Sequence, residues 1–375
     1  MTETNQKKIL VLGCTGSIGT STLDIIRNQK DRFKVCALTA NTNKTKLSLL
    51  GSEFACPVSL TSEEGTEGIK SLIEKTKPDI VVNGIAGSAG LIPSMITVEH
   101  GINLALANKE TVVMAGSLVL DSAKKNNCLV LPVDSEHSAI FTLLNQCKKE
   151  NAESLILTAS GGPFRTWSAE KIKSASLNDA LCHPTWSMGA KITIDSATMA
   201  NKGLEVIEAK RLFGFDTDKI KVTVHPQSIV HSLVRTKDGI VYAQMSKPDM
   251  KHPIICALDF PFVKENYMKP FDLSENFEDG KLTLTFEKPR FDDFPLLPLA
   301  FDAAKKDNAY PVAFNAANEV AVHSFINQKI SFPKIAEIVA NVLSRNEFSS
   351  KITSINDVFE ADKKARNTAR DLLNC

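Results

Sequence analysis

Gly13-Cys14-Thr15-Gly16-Ser17-Ile18-Gly19 follows an apolar run at 9–12 and opens a segment with helical periodicity at 17–28. A glycine turn between a strand and a helix is where a dinucleotide pyrophosphate rests on a helix N-terminus, because the glycines allow a tight turn and close backbone approach. The spacing is GxxGxxG rather than GxGxxG, so its weight comes from its position; a glycine turn without a ligand is the plain alternative. Outward from this loop, further apolar runs at 34–39, 79–83, 103–107 and 128–133 alternate with helical segments at 64–75 and 111–125. Such alternation predicts an α/β fold: a doubly wound parallel sheet with helices on both faces.

A site for a cofactor with a free ribose 2′-hydroxyl places an acid at the end of the second strand. Here that strand ends Leu38-Thr39-Ala40-Asn41-Thr42-Asn43-Lys44. No acid is present, and Lys44 or Lys46 would attract a 2′-phosphate, so NADPH is expected over NADH.

At 375 residues the chain exceeds the size of one core, and two or three domains are expected. A net charge of +1 gives no global field for nucleic acid or a membrane surface, so an anionic ligand needs local groups. Residues 1–8 are polar and lack the apolar core of a signal peptide, and no run approaches the length of a membrane span; a soluble, cytoplasmic protein is expected. Eight cysteines (Cys14, Cys36, Cys56, Cys128, Cys147, Cys182, Cys256, Cys375) are scattered without metal-ligand spacing and read as structural thiols in a reducing compartment.

Beyond residue 153 the pattern changes. A strand at 155–159 leads into Ser160-Gly161-Gly162-Pro163-Phe164, and the segment 183–189, which carries His183, Trp186 and a Met, reads as a lid. Strand-like runs at 221–224, 229–234 and 240–245, with a turn at 236–239, predict a second, mixed α/β unit. Proline and charge mark 260–298 as a linker, and helical periodicity at 299–305, 312–328, 333–344 and 356–373 predicts a small helical C-terminal domain.

Two clusters could carry chemistry. Asp134-Ser135-Glu136 ends a predicted strand, on the edge where ligands gather in open α/β sheets. Alternate carboxylates on an extended segment diverge, so a bend is needed for both to meet one cation; an Asp capping a helix with an acid in the first turn is the plain account. The second cluster lies in 191–205, where Ser196, Asn201 and Lys202 offer donors to a phosphate or sugar hydroxyls and Glu205 offers a hard oxygen to Mg2+ or Mn2+. A solvated i,i+3 ion pair of Lys202 with Glu205 explains them equally. Lys109, in Asn108-Lys109-Glu110, could hold a substrate hydroxyl or simply start a helix. His183 could donate to a phosphate and Trp186 could cover a small substrate, with ordinary packing as the alternative. His225, His231, His252 and His323 read as structural, His231 with least support.

Taken in order, these segments resemble the 1-deoxy-D-xylulose 5-phosphate reductoisomerase family: 12–19, Ala107-Asn108-Lys109-Glu110, 131–137, 160–164, 183–189, 195–205, His225-Pro226-Gln227-Ser228 and 314–319. The resemblance implies a homodimer with a Rossmann-like NADPH-binding domain at 1–133, a catalytic metal- and substrate-binding domain with a flexible lid at 134–264, a linker at 265–297 and a helical domain at 298–375. It implies Asp134, Glu136 and Glu205 as metal ligands, with Mg2+, Mn2+ or Co2+ as the ion, and these three with Lys109 as the catalytic set. Lys109, Ser135 and Glu136 would meet the carbonyl and hydroxyl end of the substrate. Ser160, His183, Ser196, Asn201 and Lys202, with Trp186 and Glu205, would form the rest of the substrate site. Thr15, Gly16, Ser17, Ile18, Asn43, Asn108, Glu110 and Gly189 would contact the cofactor. Where the family often has Gly and a basic residue this chain has Asn41-Thr42, which shifts the expected 2′-phosphate contact to Asn43 or Lys44.

The implied reaction rearranges a ketose phosphate to a branched aldehyde and reduces it with NADPH to 2-C-methyl-D-erythritol 4-phosphate, a step of isoprenoid precursor synthesis. A metal-free NADP sugar or semialdehyde dehydrogenase shares the first domain without needing three carboxylates. A non-catalytic dinucleotide sensor leaves the donor-rich 195–205 stretch unexplained.

Overall fold

The computed structural model describes residues 6–186, 188–273 and 281–373. Ser187 of the expected lid, residues 274–280 of the expected linker and Cys375 lie outside the described residues. The chain forms two units. One holds residues up to Thr111, Val119–Ser138 and Asp249–Pro270; the other holds Val112–Leu118, Ala139–Pro248 and residues from Phe271 on.

The first unit is built on strands β1 (Lys7–Leu12), β2 (Phe33–Ala40), β3 (Val58–Leu60), β4 (Ile80–Asn83), β5 (Asn103–Leu106) and β6 (Val130–Pro132). They form one sheet in the order β3-β2-β1-β4-β5-β6, parallel throughout. Ile9, Leu10, Val11 and Leu12 are all fully buried, as a strand covered on both faces requires. Order reverses between β1 and β4, which opens a crevice at their carboxyl ends. Helices α1 (Ser17–Asn28), α2 (Lys44–Phe54), α3 (Thr61–Thr76), α4 (Leu91–Glu99), α5 (Lys109–Lys125) and α6 (Ser135–Cys147) follow successive strands. Both α5 and α6 contribute residues to each unit.

The second unit carries a four-stranded sheet of β7 (Ala152–Ala159), β8 (Ile220–Val224), β9 (Val230–Thr236) and β10 (Val241–Met245) in the order β10-β9-β7-β8. Between β7 and β8 lie α7 (Ala169–Lys173), α8 (Leu177–Leu181), α9 (Ala190–Ala197) and α10 (Ala200–Phe213). After β10, α11 (Lys251–Asp259) returns to the first unit and packs on α1. Its end is fixed there by the Arg32 guanidinium, which lies 2.9 Å from each Asp259 oxygen. Helices α12 (Leu296–Lys306), α13 (Tyr310–Ile326), α14 (Phe332–Leu343) and α15 (Ile355–Leu373) complete the chain. They share one core with the second sheet, in which Leu155, Phe164, Leu204 and Phe314 meet. Gly203 lets α10 and α12 cross closely: a Cβ there would stand 2.6 Å from that of Ala300.

The described cysteines are all free. Burial pushes the Cys14 thiol up to about 11, so the cysteine inside the glycine loop is a packing residue rather than a nucleophile.

Candidate functional site

In the first unit the glycine turn joins β1 to α1. Gly13 adopts a φ of +74°, and a Cβ on it would come within 3.1 Å of the Gly84 carbonyl oxygen. Gly19 is under a stronger constraint, since its Cβ would lie 2.4 Å from Cys14 Cα. The loop and α1 can therefore interlock only with glycine at these points. Gly16 caps α1 without a side-chain bond, so the first-turn N–H groups and the positive end of the helix dipole face an incoming anion.

The surrounding side chains are arranged by short bonds. Asn43 caps α2 by accepting from the Lys46 backbone N–H at 3.1 Å, and Lys46 Nζ donates to the Thr15 carbonyl at 3.2 Å. Lys44, the alternative basic residue, pairs instead with exposed Glu63 at 3.1 Å. Asn108 is buried, caps α5 through the Thr111 N–H, and donates to the carbonyls of Ile85 and Gly87 and to Glu110. This ties the start of α5 to the loop after β4, beside the glycine turn. Thr15, Gly16, Ser17, Ile18, Asn43, Asn108 and Glu110 thus all belong to the first unit, whereas Gly189 caps α9 in the second.

Asp134 precedes α6, and the bend needed to align its neighbours is the strand-to-helix transition itself. Its Oδ1 accepts from the backbone N–H of Glu136 at 3.2 Å and lies 2.9 Å from His137 Nδ1, while its Oδ2 accepts from Lys109 Nζ at 3.0 Å. Ser135 donates to Glu136 Oε2 at 2.5 Å. Asp134 is thus both a helix cap and one side of a buried charge cluster. Fully buried His137 is a member that sequence reasoning missed. The available signal was its place three residues after Asp134 at a helix start, one turn away.

The second unit holds a different group. Ser160 Oγ lies 3.0 Å from His183 Nε2 and accepts from the Gly162 N–H at 3.2 Å. His183 Nδ1 accepts from the backbone N–H groups of Thr185 and Trp186, at 3.1 and 2.9 Å, so the ring proton sits on Nε2 and points to Ser160. Burial holds His183 below its ordinary pKa, which favours this neutral form. Gly162 rests against α9: a Cβ there would fall 2.6 Å from the Ser196 carbonyl oxygen. The strap bearing Ser160 is thereby seated on the residue that follows Asp195. Trp186 is half-buried in the irregular stretch between α8 and α9, where the sequence predicts a lid.

On α10, Asn201 and Lys202 both donate to Glu205. The i,i+3 ion pair read from sequence exists, yet it is not solvated: Lys202 is 4% exposed and Glu205 1%. A buried ionic pair of this kind needs a reason beyond stability. Asp195 and its partner Asn318 were not singled out as site residues. Asp195 is buried and meets Lys191 Nζ at 2.7 Å and Asn318 Nδ2 at 2.8 Å. His225 and His231 are buried and hydrogen-bonded: His225 Nε2 accepts from the N–H groups of Ile229 and Val230, and His231 Nε2 lies 2.9 Å from Ser246 Oγ.

Comparison with known proteins places these features in a lineage. The family described as 1-deoxy-D-xylulose 5-phosphate reductoisomerase matches residues 9–64 and 55–116, its C-terminal domain matches 130–213, and the DXP reductoisomerase C-terminal domain matches 245–368. The reductoisomerase of Treponema denticola is 48% identical over 373 residues, spanning 97% of this chain and 96% of its own. That of Chlorobaculum tepidum is 46% identical over 98% of this chain and 100% of its own. Among solved structures, the Zymomonas mobilis reductoisomerase in complex with NADPH superposes with a TM-score of 0.88 at 37% identity, covering 98% of this chain and 99% of that one. A DOX-P reductoisomerase in complex with NADPH, fosmidomycin and magnesium gives 0.87 at 37% identity, covering 98% of each. This chain belongs to the 1-deoxy-D-xylulose 5-phosphate reductoisomerase family.

Proposed function

We propose that the chain catalyses the NADPH-dependent rearrangement and reduction of 1-deoxy-D-xylulose 5-phosphate to 2-C-methyl-D-erythritol 4-phosphate, in isoprenoid precursor synthesis. The observation that carries the reading is the cluster in which the Nε2–H of His183 meets Ser160, on a strap whose Gly162 rests against the Ser196 segment. Hydroxyl and imidazole groups gathered in that way suit a phosphate monoester, and they accompany full-length family membership.

The residues present fit both implied cofactors. The glycine cradle and the uncapped start of α1 suit a pyrophosphate, and Lys46 at the loop suits a 2′-phosphate. Asp134, Glu136 and Glu205 are the proposed metal ligands, a carboxylate set suited to a hard divalent cation such as Mg2+. When bound, the metal supplies Lewis acidity at neighbouring substrate oxygens and NADPH supplies the hydride. Lys109 orients Asp134 and offers a donor to the reacting end of the substrate. Ser160, His183, Ser196, Asn201 and Lys202 bind the remainder, and Trp186 excludes water above it. The phosphate acts as a remote handle whose binding energy positions the reacting carbons.

A homodimer suits one surface feature. Edge strand β10 leaves Val241 and Tyr242 42% and 44% exposed, next to Ile240 at 51%. An apolar sheet edge of this kind invites pairing, and a second copy is the proposed partner. No described helix is long and apolar enough to cross a membrane, and a cytoplasmic location accords with seven free cysteines in the described chain.

The test is NADPH absorbance loss with 1-deoxy-D-xylulose 5-phosphate, with Mg2+ and with chelator. Metal-dependent oxidation yielding the branched polyol phosphate is expected. A folded, NADPH-binding protein that oxidises none would overturn the reading.

A further inference from the structure

We propose that Asp195 and Asn318 are positioning residues that set the phosphate end of the substrate site; this rests on reading Ser160, His183 and Ser196 as that pocket. Helix α9 is only eight residues long, has no side-chain cap at Gly189 and follows an irregular loop. Such a helix has little rigidity of its own. Yet it carries Ser196, and the Gly162 strap that holds Ser160 is seated on the Ser196 carbonyl. Any shift of α9 therefore moves both hydroxyls against His183.

What anchors α9 is a buried carboxylate rather than an apolar side chain. Asp195 lies between Ile194 and Ser196 and is 1% exposed; one oxygen accepts from Asn318 Nδ2 and the other from Lys191 Nζ one turn earlier. Asn318 is fully buried on α13, and its own Oδ1 has no hydrogen-bond partner among the described residues. Flipping the amide would aim a carbonyl at a carboxylate, so its orientation is forced. The amide serves Asp195 at the expense of its own acceptor, which a residue selected for packing would not do. Its base is firm, because the next residue, Glu319, is gripped by Arg366, itself paired with Asp362. The path runs from α15 through α13 and Asp195 to the seat of Ser160. Through it the C-terminal helices, which supply none of the proposed substrate contacts, set the geometry of the phosphate pocket.

The experiment uses the full-length enzyme with Asn318→Asp, Asp195→Asn, the double exchange and near-isosteric Asn318→Leu. Asn318→Asp sets two carboxylates against each other and is expected to raise KM for the sugar phosphate roughly tenfold, with KM for NADPH unchanged. Inhibition by inorganic phosphate should weaken in parallel. The double exchange restores a carboxylate–amide pair with the roles reversed and should recover most of the loss. Should Asn318→Asp fail to accumulate, Asn318→Leu is expected to give the same split between the two KM values. Unchanged substrate KM, or an equal loss for substrate and NADPH that the double exchange does not rescue, would overturn the proposal. Ser196→Ala separates the two ideas. If it leaves substrate KM and phosphate inhibition unchanged, the pocket reading fails. If it raises both while position 318 does not, only the positioning role fails.

Discussion

Lys109 Nζ lies 3.0 Å from Asp134 Oδ2, and the two side chains are only 8% and 12% exposed. The second Asp134 oxygen is occupied by α6 backbone N–H groups and His137, so the carboxylate is held from two sides. A pair so enclosed is costly to break, because truncating one partner strands the other charge. Lys109→Met is therefore expected to lower kcat/KM for the sugar phosphate by about 10²-fold or more while leaving NADPH affinity within a few-fold. Steady-state kinetics with a separate cofactor titration checks this. Near-normal kcat/KM would reduce Lys109 to a helix-start residue.

His183 gives a pH prediction of definite sign. Burial lowers its pKa below the ordinary 6.5, so the folded loop prefers the neutral ring. Its contribution is complete above the unfolded value and is lost as pH falls through the lower folded value. Protonating Nδ1 would abolish the bonds from the Thr185 and Trp186 N–H groups. As pH falls through that lowered value, KM for the sugar phosphate should climb and the Trp186 environment should change. In a Trp167→Phe background, Trp186 fluorescence followed across pH reports the loop. A transition that persists unchanged in His183→Gln would assign it to another group.

Legibility in the sequence follows from how each segment is buried. Five strands of the first sheet stand out as apolar runs bounded by turns, whereas the three-residue edge strand β3 is too short to show one, and α1 spans the same residues, 17–28, as its periodicity predicts. Several helices give no such signal. In α4 and α11 apolar residues leave little polar face to set a period, and α2 buries only Leu47 and Leu50. That α11 belongs with the first unit depends on partners far away in sequence, Arg32 and Lys7, which local pattern cannot supply. The site shows the same division. Lys109, Asp134, Ser160 and His183 could be named from motifs, but the Asp195–Asn318 bond joins residues 123 apart. The Lys202–Glu205 pair was visible as spacing, whereas its burial was not.

The glycine loop bears on cofactor choice. Lys46 Nζ donates to the Thr15 carbonyl, while Lys44 is drawn outward to Glu63. Of the two bases near the end of β2, Lys46 is thus the one held at the glycine loop, and the proposed 2′-phosphate contact is assigned to it. Lys46→Ala should raise KM for NADPH about tenfold and leave that for NADH nearly unchanged, since only the former carries the extra charge. Lys44→Ala should do little, as an exposed pair contributes little. Equal losses with both cofactors would move the 2′-phosphate contact elsewhere.

Glu205 decides between a metal enzyme and a metal-free dehydrogenase. Both Asn201 and Lys202 donate to it, and it is 1% exposed, a place where a purely structural pair would have small value. As a proposed metal ligand, its charge is what Gln cannot replace. Glu205→Gln should lower turnover by about 10²-fold or more with Mg2+ and weaken Mn2+ binding, read from the spectrum of free Mn2+. Chelator should abolish wild-type turnover and added Mg2+ restore it. Fold loss is separated from site loss by a second variant, Lys202→Met with Glu205→Leu, which removes both charges together. Its melting temperature should stay near wild type while its activity does not return. Tight Mn2+ binding and near-normal turnover in Glu205→Gln would instead leave a buried ion pair with no part in the chemistry, and would favour a dehydrogenase that works without a metal.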